Sequence, residues 1–225
     1  MLKKKLLNFF NLKLIHFSVF TSIYLLQPCH AGHLQKLLPQ SQLSKIQRNY
    51  DHDTAERFNA WDRLLQNSQN KTPIEKLHLV NDFFNQMQWV DDHELWNTKD
   101  YWATPIESLI RNAGDCEDFS IAKYFTLLEL GVPVNQLKIS YVKIIDYHQS
   151  HIVLAYYSTP DADPLILDNV NKKILRSSQR TDLKPMFNFN DEGIWSQNDP
   201  YTRMDSVTKI QNWAELVKRM GTEEG

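Results

Sequence analysis

The sequence predicts an α+β fold in which several helices precede an antiparallel sheet. Apolar residues recur at helical spacing through the first half of the chain, a mostly apolar helix lies within residues 113–131, and short β-branched and aromatic segments begin at Leu137. The chain has 225 residues, of which 42% are hydrophobic and 23% charged, so one domain with a real core is expected. The net charge of −2 and the six glycines give no indication of a nucleic-acid surface or a Gly-rich phosphate loop.

The N-terminal segment has the three parts of a secretory signal peptide. Lysines occupy Lys3–Lys5, an apolar run follows at about Ile15–Leu26, and small residues precede a cleavage site after Ala31. The run is short for a membrane span, which needs about 20 apolar residues. An uncleaved anchor helix is the alternative. We therefore expect residues 1–31 to be a signal peptide and residues 32–225 to form a single exported domain.

Removal of this segment would leave one cysteine in the chain. Cys29 belongs to the predicted signal peptide, so only Cys116 remains. A lone thiol in an oxidising compartment is a liability unless it is buried or has a chemical role. Cys116 also stands beside Asp115, Glu117 and Asp118, and these carboxylates should raise the pKa of the thiol because they oppose its ionisation.

Helices are predicted in the first half of the mature chain. Residues 34–66 are polar with spaced apolar positions, which indicates one or two surface helices. A clearer helix begins after Thr72, because Pro73 suits the first helical position and Glu75 completes a capping box with Thr72. Its apolar face comprises Ile74, Leu77, Val80, Phe84 and Met87.

The central helix is predicted within "AGDCEDFSIAKYFTLLELG". Residues 91–112 before it are rich in Trp, Asp and Asn and should form loops with a short helix at 105–112. The apolar residues of the central helix lie all around it, so we expect it to be buried on most sides. Gly131 and Pro133 end it.

Strands are predicted from Leu137 onward. The segments "LKISYVKII", "SHIVLAYY" and "PLILDN" are short, β-branched or aromatic, and separated by Asp, Ser and Pro clusters. They indicate an antiparallel sheet, to which residues 173–176 add a further candidate strand. A final helix is predicted at about residues 208–220.

Three side chains in these elements form a candidate catalytic constellation. His151 begins one strand and Asp168 ends the next, so the two would be adjacent if the strands are antiparallel neighbours. If the central helix begins at the same end of the sheet, Cys116 meets His151. A helix N-terminus and an imidazolium both favour the thiolate nucleophile. The histidine would move the protons, and the aspartate would fix its tautomer.

Purely structural explanations exist for the same residues. His151 could be satisfied by water, Asp168 could start a turn, and Asp115 could simply cap the helix. His148 and His93 are other candidates for the base, but the first lies in a predicted hairpin turn and the second in an acidic loop. Spacing alone therefore leaves the triad as a hypothesis.

Four segments of the chain resemble the bacterial transglutaminase-like cysteine proteinases. They are "GDCEDFSIAKYFTLLELGVP", "HIVLAYY" and "LILDN", with "VNDFFNQ" upstream. The resemblance covers nearly all of the mature chain, with the motifs in the family's order. It implies a papain-like or transglutaminase-like fold, in which an N-terminal helical lobe and a central helix pack on the sheet. It also implies Cys116 as nucleophile, His151 as base and Asp168 as its orienting partner.

The resemblance further implies a biological role. Its adhesin-cleaving members suggest a periplasmic protease that cuts the N-terminal region of a giant cell-surface adhesin and so releases biofilm. The implied partner is an inner-membrane cyclic di-GMP receptor of LapD type, which sequesters the protease. The implied cofactor is Ca²⁺, which we assign to the carboxylates of Asp115, Glu117 and Asp118. Successive side chains of a helix point about 100° apart, so neighbouring carboxylates within the helix do not converge on one ion. A shared cation therefore needs the non-helical geometry of the cap, where Asp115 and Glu117 can both turn away from Cys116.

Other functions remain open from the sequence. A transglutaminase-type acyltransferase would use the same triad with an amine in place of water, and a non-enzymatic binding module would carry a degenerate one. The segment "VDDHELWNTKDYWATP" is a candidate surface for substrate or partner, because Trp and Tyr are enriched in binding hot spots. Alternatively, its rings pack on the central helix.

Overall fold

A computed structural model describes residues 37–197 and 199–223. The helices are α1 (Gln40–Asn49), α2 (His52–Ser68), α3 (Pro73–Phe84), α4 (Asp92–Trp96), α5 (Pro105–Arg111), α6 (Cys116–Glu129) and α7 (Gln211–Glu223). The predicted signal peptide, residues 1–31, lies outside the described residues. None of the helices in the described ranges has the length and apolarity needed to cross a membrane.

The strands form one large sheet and one small pair. They are β1 (Gln88–Trp89), β2 (Ala113–Gly114), β3 (Leu137–Ile144), β4 (Gln149–Tyr156), β5 (Leu165–Leu167), β6 (Leu175–Arg176), β7 (Leu183–Asn190), β8 (Gly193–Ser196) and β9 (Asp199–Asp205). β1 and β2 pair in parallel, and the other seven strands are antiparallel in the order β6-β5-β4-β3-β7-β8-β9. The predicted α+β class, with helices before an antiparallel sheet, is confirmed.

The N-terminal helices match the predicted segments, with one correction. α2 is a surface helix with one buried face, as predicted, on which Phe58 and Trp61 are fully buried and Trp61 Nε1 donates to Thr126 Oγ1 at 3.1 Å. The capping box of α3 is confirmed, since the backbone N–H of Thr72 donates to Glu75 Oε2 at 2.9 Å. Ile74 does not belong to the buried face of α3. It is 45% exposed, because the core does not reach the first turn of this helix.

The central helix α6 is buried on most sides, as predicted. Every residue from Glu117 to Leu128 is buried, and the helix packs between the sheet, at β3 and β4, and the helices α3 and α5. Gly131 then adopts φ +81°, a left-handed conformation that favours glycine at a helix end. The main core therefore surrounds α6, and the N-terminus of this helix is held rigidly against the sheet.

The sheet brings its predicted strands into the expected register. In the hairpin of β3 and β4, Val142 pairs with His151, and β5 runs antiparallel to β4 with Leu167 opposite Leu154. The candidate strand at 173–176 corresponds to β6. The sequence pattern assigns no element to residues 177–207, yet β7, β8 and β9 lie there, and β7 pairs with β3 through a register shift next to Pro185.

Candidate active site

The local sequence places the Cys116 thiol at the start of α6. Asp115 is the N-cap in extended conformation, and its backbone N–H donates to Asp118 Oδ2 at 3.3 Å. A Cβ on Gly114 would lie 2.6 Å from Asp118 Cβ and Oδ2, so only glycine permits this close approach. The thiol is half-buried and is the one free cysteine among residues 37–197 and 199–223.

His151 is buried at the start of β4 and contacts Asp168. Its Nε2 lies 2.9 Å from Asp168 Oδ1, which leaves Nδ1 for the thiol. His151 and Cys116 line the same cleft. The Ser120 hydroxyl lies 3.0 Å from the Cys116 carbonyl oxygen and 3.2 Å from that of Ile152, so it joins the first turn of α6 to the strand that carries the histidine.

Asp168 is a buried, ionised carboxylate. Its Oδ1 accepts from the Val170 backbone N–H at 2.9 Å as well as facing His151, and its Oδ2 lies 2.8 Å from Arg180 Nη2. Burial opposes the ionisation of Asp168. Its pKa is nevertheless lowered to about 2 by the hydrogen bond and charge of His151, by the Val170 N–H and by the Arg180 guanidinium. The geometry therefore suits a carboxylate that orients an imidazole.

The other two histidines considered for the base are outside this arrangement. His148 lies exposed in the β3–β4 turn with φ +51°, and His93 is exposed on α4. Neither lines the cleft that contains Cys116. The structure thus brings together Cys116, His151 and Asp168, while their catalytic roles stay a prediction.

Three buried polar residues behind Asp168 were not predicted from the sequence. Arg180 forms the ion pair described above. Asn85 Nδ2 donates to the Asp168 backbone carbonyl at 3.0 Å, and Lys123 Nζ donates to Asn85 Oδ1 at 2.8 Å. Burial lowers the pKa of Lys123 to about 7, against the attraction of Asp168. A lysine inside an otherwise apolar helix was a visible signal, but nothing local marks Asn85 or Arg180.

The acidic residues around Cys116 belong to a larger cluster. Carboxylate oxygens of Asp92, Asp115 and Asp118 lie within 4.8 Å of one another, and so do those of Asp92, Asp100 and Glu117. Asp115, Glu117 and Asp118 were predicted from the motif, whereas Asp92 and Asp100 were not. Asp92 and Asp100 come from the segment that was predicted to be a partner surface, so their approach depends on how that loop folds back.

This cluster fits a hard divalent cation. Oδ1 of Asp92 and Oδ1 of Asp115 are buried and have no hydrogen-bond partner within the described residues. Burial, then repulsion from Glu117, raises the pKa of Asp115 to about 9, and burial also raises the pKa values of Asp92 and Asp118. Several buried carboxylate oxygens without a balancing charge are the ligands that Ca²⁺ prefers.

Glu117 differs from the expected arrangement. The Cys116 thiol donates to Glu117 Oε2 at 3.0 Å, so this carboxylate faces the thiol instead of turning away from it. Burial, followed by the Glu117 charge, raises the pKa of Cys116. Neutralising Glu117 would therefore favour the thiolate, which is the nucleophilic form.

The cleft that holds these groups is open and aromatic at its rim. It encloses about 690 Å³ and includes Trp89, which is 58% exposed, and Val170, which is 67% exposed. Trp102 also lines it but is buried and stacks on Phe189 at 5.7 Å between ring centroids. The rings of the predicted partner surface therefore pack partly on the sheet, and their role in binding stays a prediction.

Comparisons with known proteins agree on one family. Residues 48–219 match the model described as "Bacterial transglutaminase-like cysteine proteinase BTLCP". The EGTA-treated structure of Legionella pneumophila LapG is 41% identical, with a TM-score of 0.73, and the match covers 80% of this chain and 96% of that one. Calcium-bound Legionella pneumophila LapG is 42% identical, with a TM-score of 0.71, covering 80% and 98%. No curated protein matches the sequence.

Proposed function

The chain belongs to the bacterial transglutaminase-like cysteine proteinases, and from this premise we propose that it is a calcium-dependent periplasmic endopeptidase that cleaves the N-terminal region of a large cell-surface adhesin. As a member of that family it is a cysteine protease. The observation that carries the proposal is that His151 and Cys116 line one cleft, while the buried Asp168 contacts His151 Nε2.

The geometry supports acyl transfer through a thioester. The Cys116 thiol passes its proton to His151 Nδ1, and the thiolate attacks the scissile carbonyl carbon. Unpaired N–H groups in the first turn of α6 stabilise the oxyanion. The imidazolium then protonates the leaving amine, and water, deprotonated by His151, hydrolyses the thioester. Throughout, Asp168 holds Nε2–H and stabilises the imidazolium.

Calcium binding rests on the acidic cluster and on the calcium-bound relative. Asp115 and Glu117 flank the nucleophile, and Asp92 and Asp118 supply further buried carboxylate oxygens. When bound, Ca²⁺ supplies a local positive charge that balances these acids. With their charges balanced, the carboxylates of Asp115 and Asp118 would hold the start of α6 in place. Glu117 would then no longer oppose ionisation of the Cys116 thiol.

The substrate and the regulator rest on the motif resemblance and on the 41–42% identity to Legionella LapG. The open cleft can admit an extended polypeptide beside Cys116. We propose that cleavage releases the adhesin and disperses biofilm, and that an inner-membrane cyclic di-GMP receptor of LapD type sequesters the protease when cyclic di-GMP is abundant.

The proposed activity predicts cleavage of an adhesin N-terminal fragment by the purified protein in calcium. Mass spectrometry should show two fragments whose masses sum to the substrate plus one water. Adding the periplasmic domain of the receptor should suppress both products. A heavier, crosslinked species formed with an amine donor would instead favour the transglutaminase-type acyltransferase. An intact fragment after incubation with unlabelled enzyme, whose Cys116 is shown in a separate sample to react fully with a thiol reagent, would overturn the adhesin as substrate.

If the protein is exported and its signal peptide is cleaved, the mature chain should have a defined N-terminus. Intact-mass analysis of protein recovered from a periplasmic fraction should show a chain that begins at or near Gly32, because the small residues before it suit signal peptidase. A control preparation from the cytoplasmic fraction should retain residue 1. Detection of residues 1–26 on the periplasmic protein would contradict signal-peptide cleavage.

A further inference from the structure

Arg180 lies behind the catalytic carboxylate, on the side away from the histidine. It follows a short 3₁₀ helix, Ser177–Gln179, and its side chain is only 3% exposed. His151 takes Oδ1 of Asp168, and Arg180 Nη2 lies 2.8 Å from Oδ2. The two oxygens of the carboxylate are therefore fixed by different partners.

A second carboxylate holds the guanidinium in place. Arg180 Nε donates to Asp182 Oδ1 at 2.9 Å, and Nη2 donates to Asp182 Oδ2 at 2.7 Å. This bidentate contact uses the rigid fork of the guanidinium, which a lysine cannot reproduce. Asp182 is 46% exposed at its side chain, so the arginine links a surface carboxylate to a buried one.

We propose that Arg180 is a positioning residue that holds Asp168 ionised and turned toward His151. Asp168 Oδ1 accepts from the Val170 N–H and faces the imidazole. These contacts alone would still let the carboxylate rotate, so that Oδ2 takes the position of Oδ1. Oδ2 accepts no hydrogen bond among the described residues, and its 2.8 Å ion pair with Arg180 Nη2 is the contact that disfavours the second orientation. Arg180 acts on the reaction only through this carboxylate.

The other charges around Asp168 cannot take over this role. His151 on β4 changes protonation during the reaction. Lys123 on α6 approaches from the opposite side, but its Nζ is bound to Asn85, and burial lowers its pKa to about 7. Asp182 is negative, and its charge repels that of Asp168, so it opposes the ionisation of this carboxylate. Arg180 is thus the permanently charged cation that faces the carboxylate.

A cavity on the other face of the sheet reaches the same arginine. It encloses about 440 Å³ and lies over the smaller apolar cluster, which is formed by Val142, Val153, Ala155, Ile166 and Leu183. Arg180 lines this cavity, and its Nη1 has no hydrogen-bond partner among the described residues. A small cation can therefore reach the position of the guanidinium without passing through the catalytic cleft.

The test is chemical rescue of Arg180→Ala, measured as the rate of Cys116 alkylation by iodoacetamide in calcium. At pH 7 the variant should react about 10- to 100-fold more slowly, the usual cost of losing a partner that orients a functional histidine. Without the guanidinium Asp168 can turn away from His151, so the imidazolium is held less firmly beside the thiolate and the acid limb of the pH–rate profile should move to higher pH. Guanidinium at about 20 mM should restore the rate and the profile, because Arg180 leaves a gap that this ion fits.

Matched controls separate positioning from a merely structural role. Arg176→Ala, an exposed arginine just before the same 3₁₀ helix, should behave as wild type with and without guanidinium, and equal sodium chloride should rescue neither variant. Arg180→Lys should show a smaller shift of the acid limb. If Arg180→Ala does not fold by circular dichroism, Arg180→Lys decides. A wild-type pH profile in a folded Arg180 variant, or no rescue of folded Arg180→Ala, would overturn the proposal.

Discussion

Replacing Cys116 with alanine is expected to reduce peptide cleavage to background, a loss of about 10⁶-fold, because no other group in the cleft forms the thioester. His151→Ala should cost nearly as much, since the nucleophile and the base act as a unit. Asp168→Asn should lose about 10⁴-fold, because an amide holds the wrong imidazole tautomer. Steady-state cleavage of a peptide from the adhesin fragment, in saturating calcium, measures all three.

The control for this series is a histidine that the site does not use. His78 is exposed on α3, so His78→Ala should retain the wild-type rate. Circular dichroism and thermal melting are needed to establish that each variant is folded, since Cys116 is half-buried but His151 and Asp168 are buried. Cleavage at the wild-type rate by folded Cys116→Ala or His151→Ala would disprove the catalytic assignment.

Removal of calcium is expected to abolish cleavage and to lower the melting temperature. A ligand that binds only the folded chain stabilises it by about 2.7 kcal/mol at one hundred times its dissociation constant, so the chelator should remove a shift of that order. Ca²⁺ should restore activity and Mg²⁺ should restore it poorly, because Mg²⁺ demands near-ideal octahedral geometry. Asp115→Ala and Glu117→Ala should stay inactive at ordinary calcium concentrations.

Asp92 extends this experiment to a residue outside the motif. Asp92→Asn should weaken calcium binding in isothermal titration calorimetry, since Oδ1 of Asp92 is buried without a hydrogen-bond partner in the described chain. Asp53→Asn, at an exposed position on α2, is the matched control and should bind normally. Full activity in chelator, with the protein shown to be calcium-free by elemental analysis, would remove the metal from the mechanism.

Most of the helices and the first strands could be predicted because their signals are local. The capping box of Thr72 and Glu75, and the glycine at position 131, mark helix ends within a few residues. The exposure of Ile74 could not be predicted, because it depends on where the core ends. β7 was equally hidden, since it owes its place to pairing with β3, which is distant in sequence.

The residues of the candidate site likewise fall into two groups: those with a local sequence signal and those placed by tertiary packing. Cys116, His151 and Asp168 follow from a motif at a helix start and from antiparallel strand geometry. Asp92, at the start of α4, and Arg180, directly after a 3₁₀ helix, do not, because tertiary packing decides where these short elements lie. A carboxylate near a predicted metal, or an arginine near a predicted triad, has no spacing rule that would reveal it.

The order of the strands also bears on the entropy of assembly. Ile144 pairs with Gln149 across a four-residue turn, whereas its partner on β7, Leu183, is 39 residues away. Closing the longer loop costs about 2 kcal/mol more chain entropy. The base and its carboxylate therefore lie in the half of the sheet that the chain assembles with the smallest entropic loss, while the β3–β7 pairing beside Arg180 requires the longer closure.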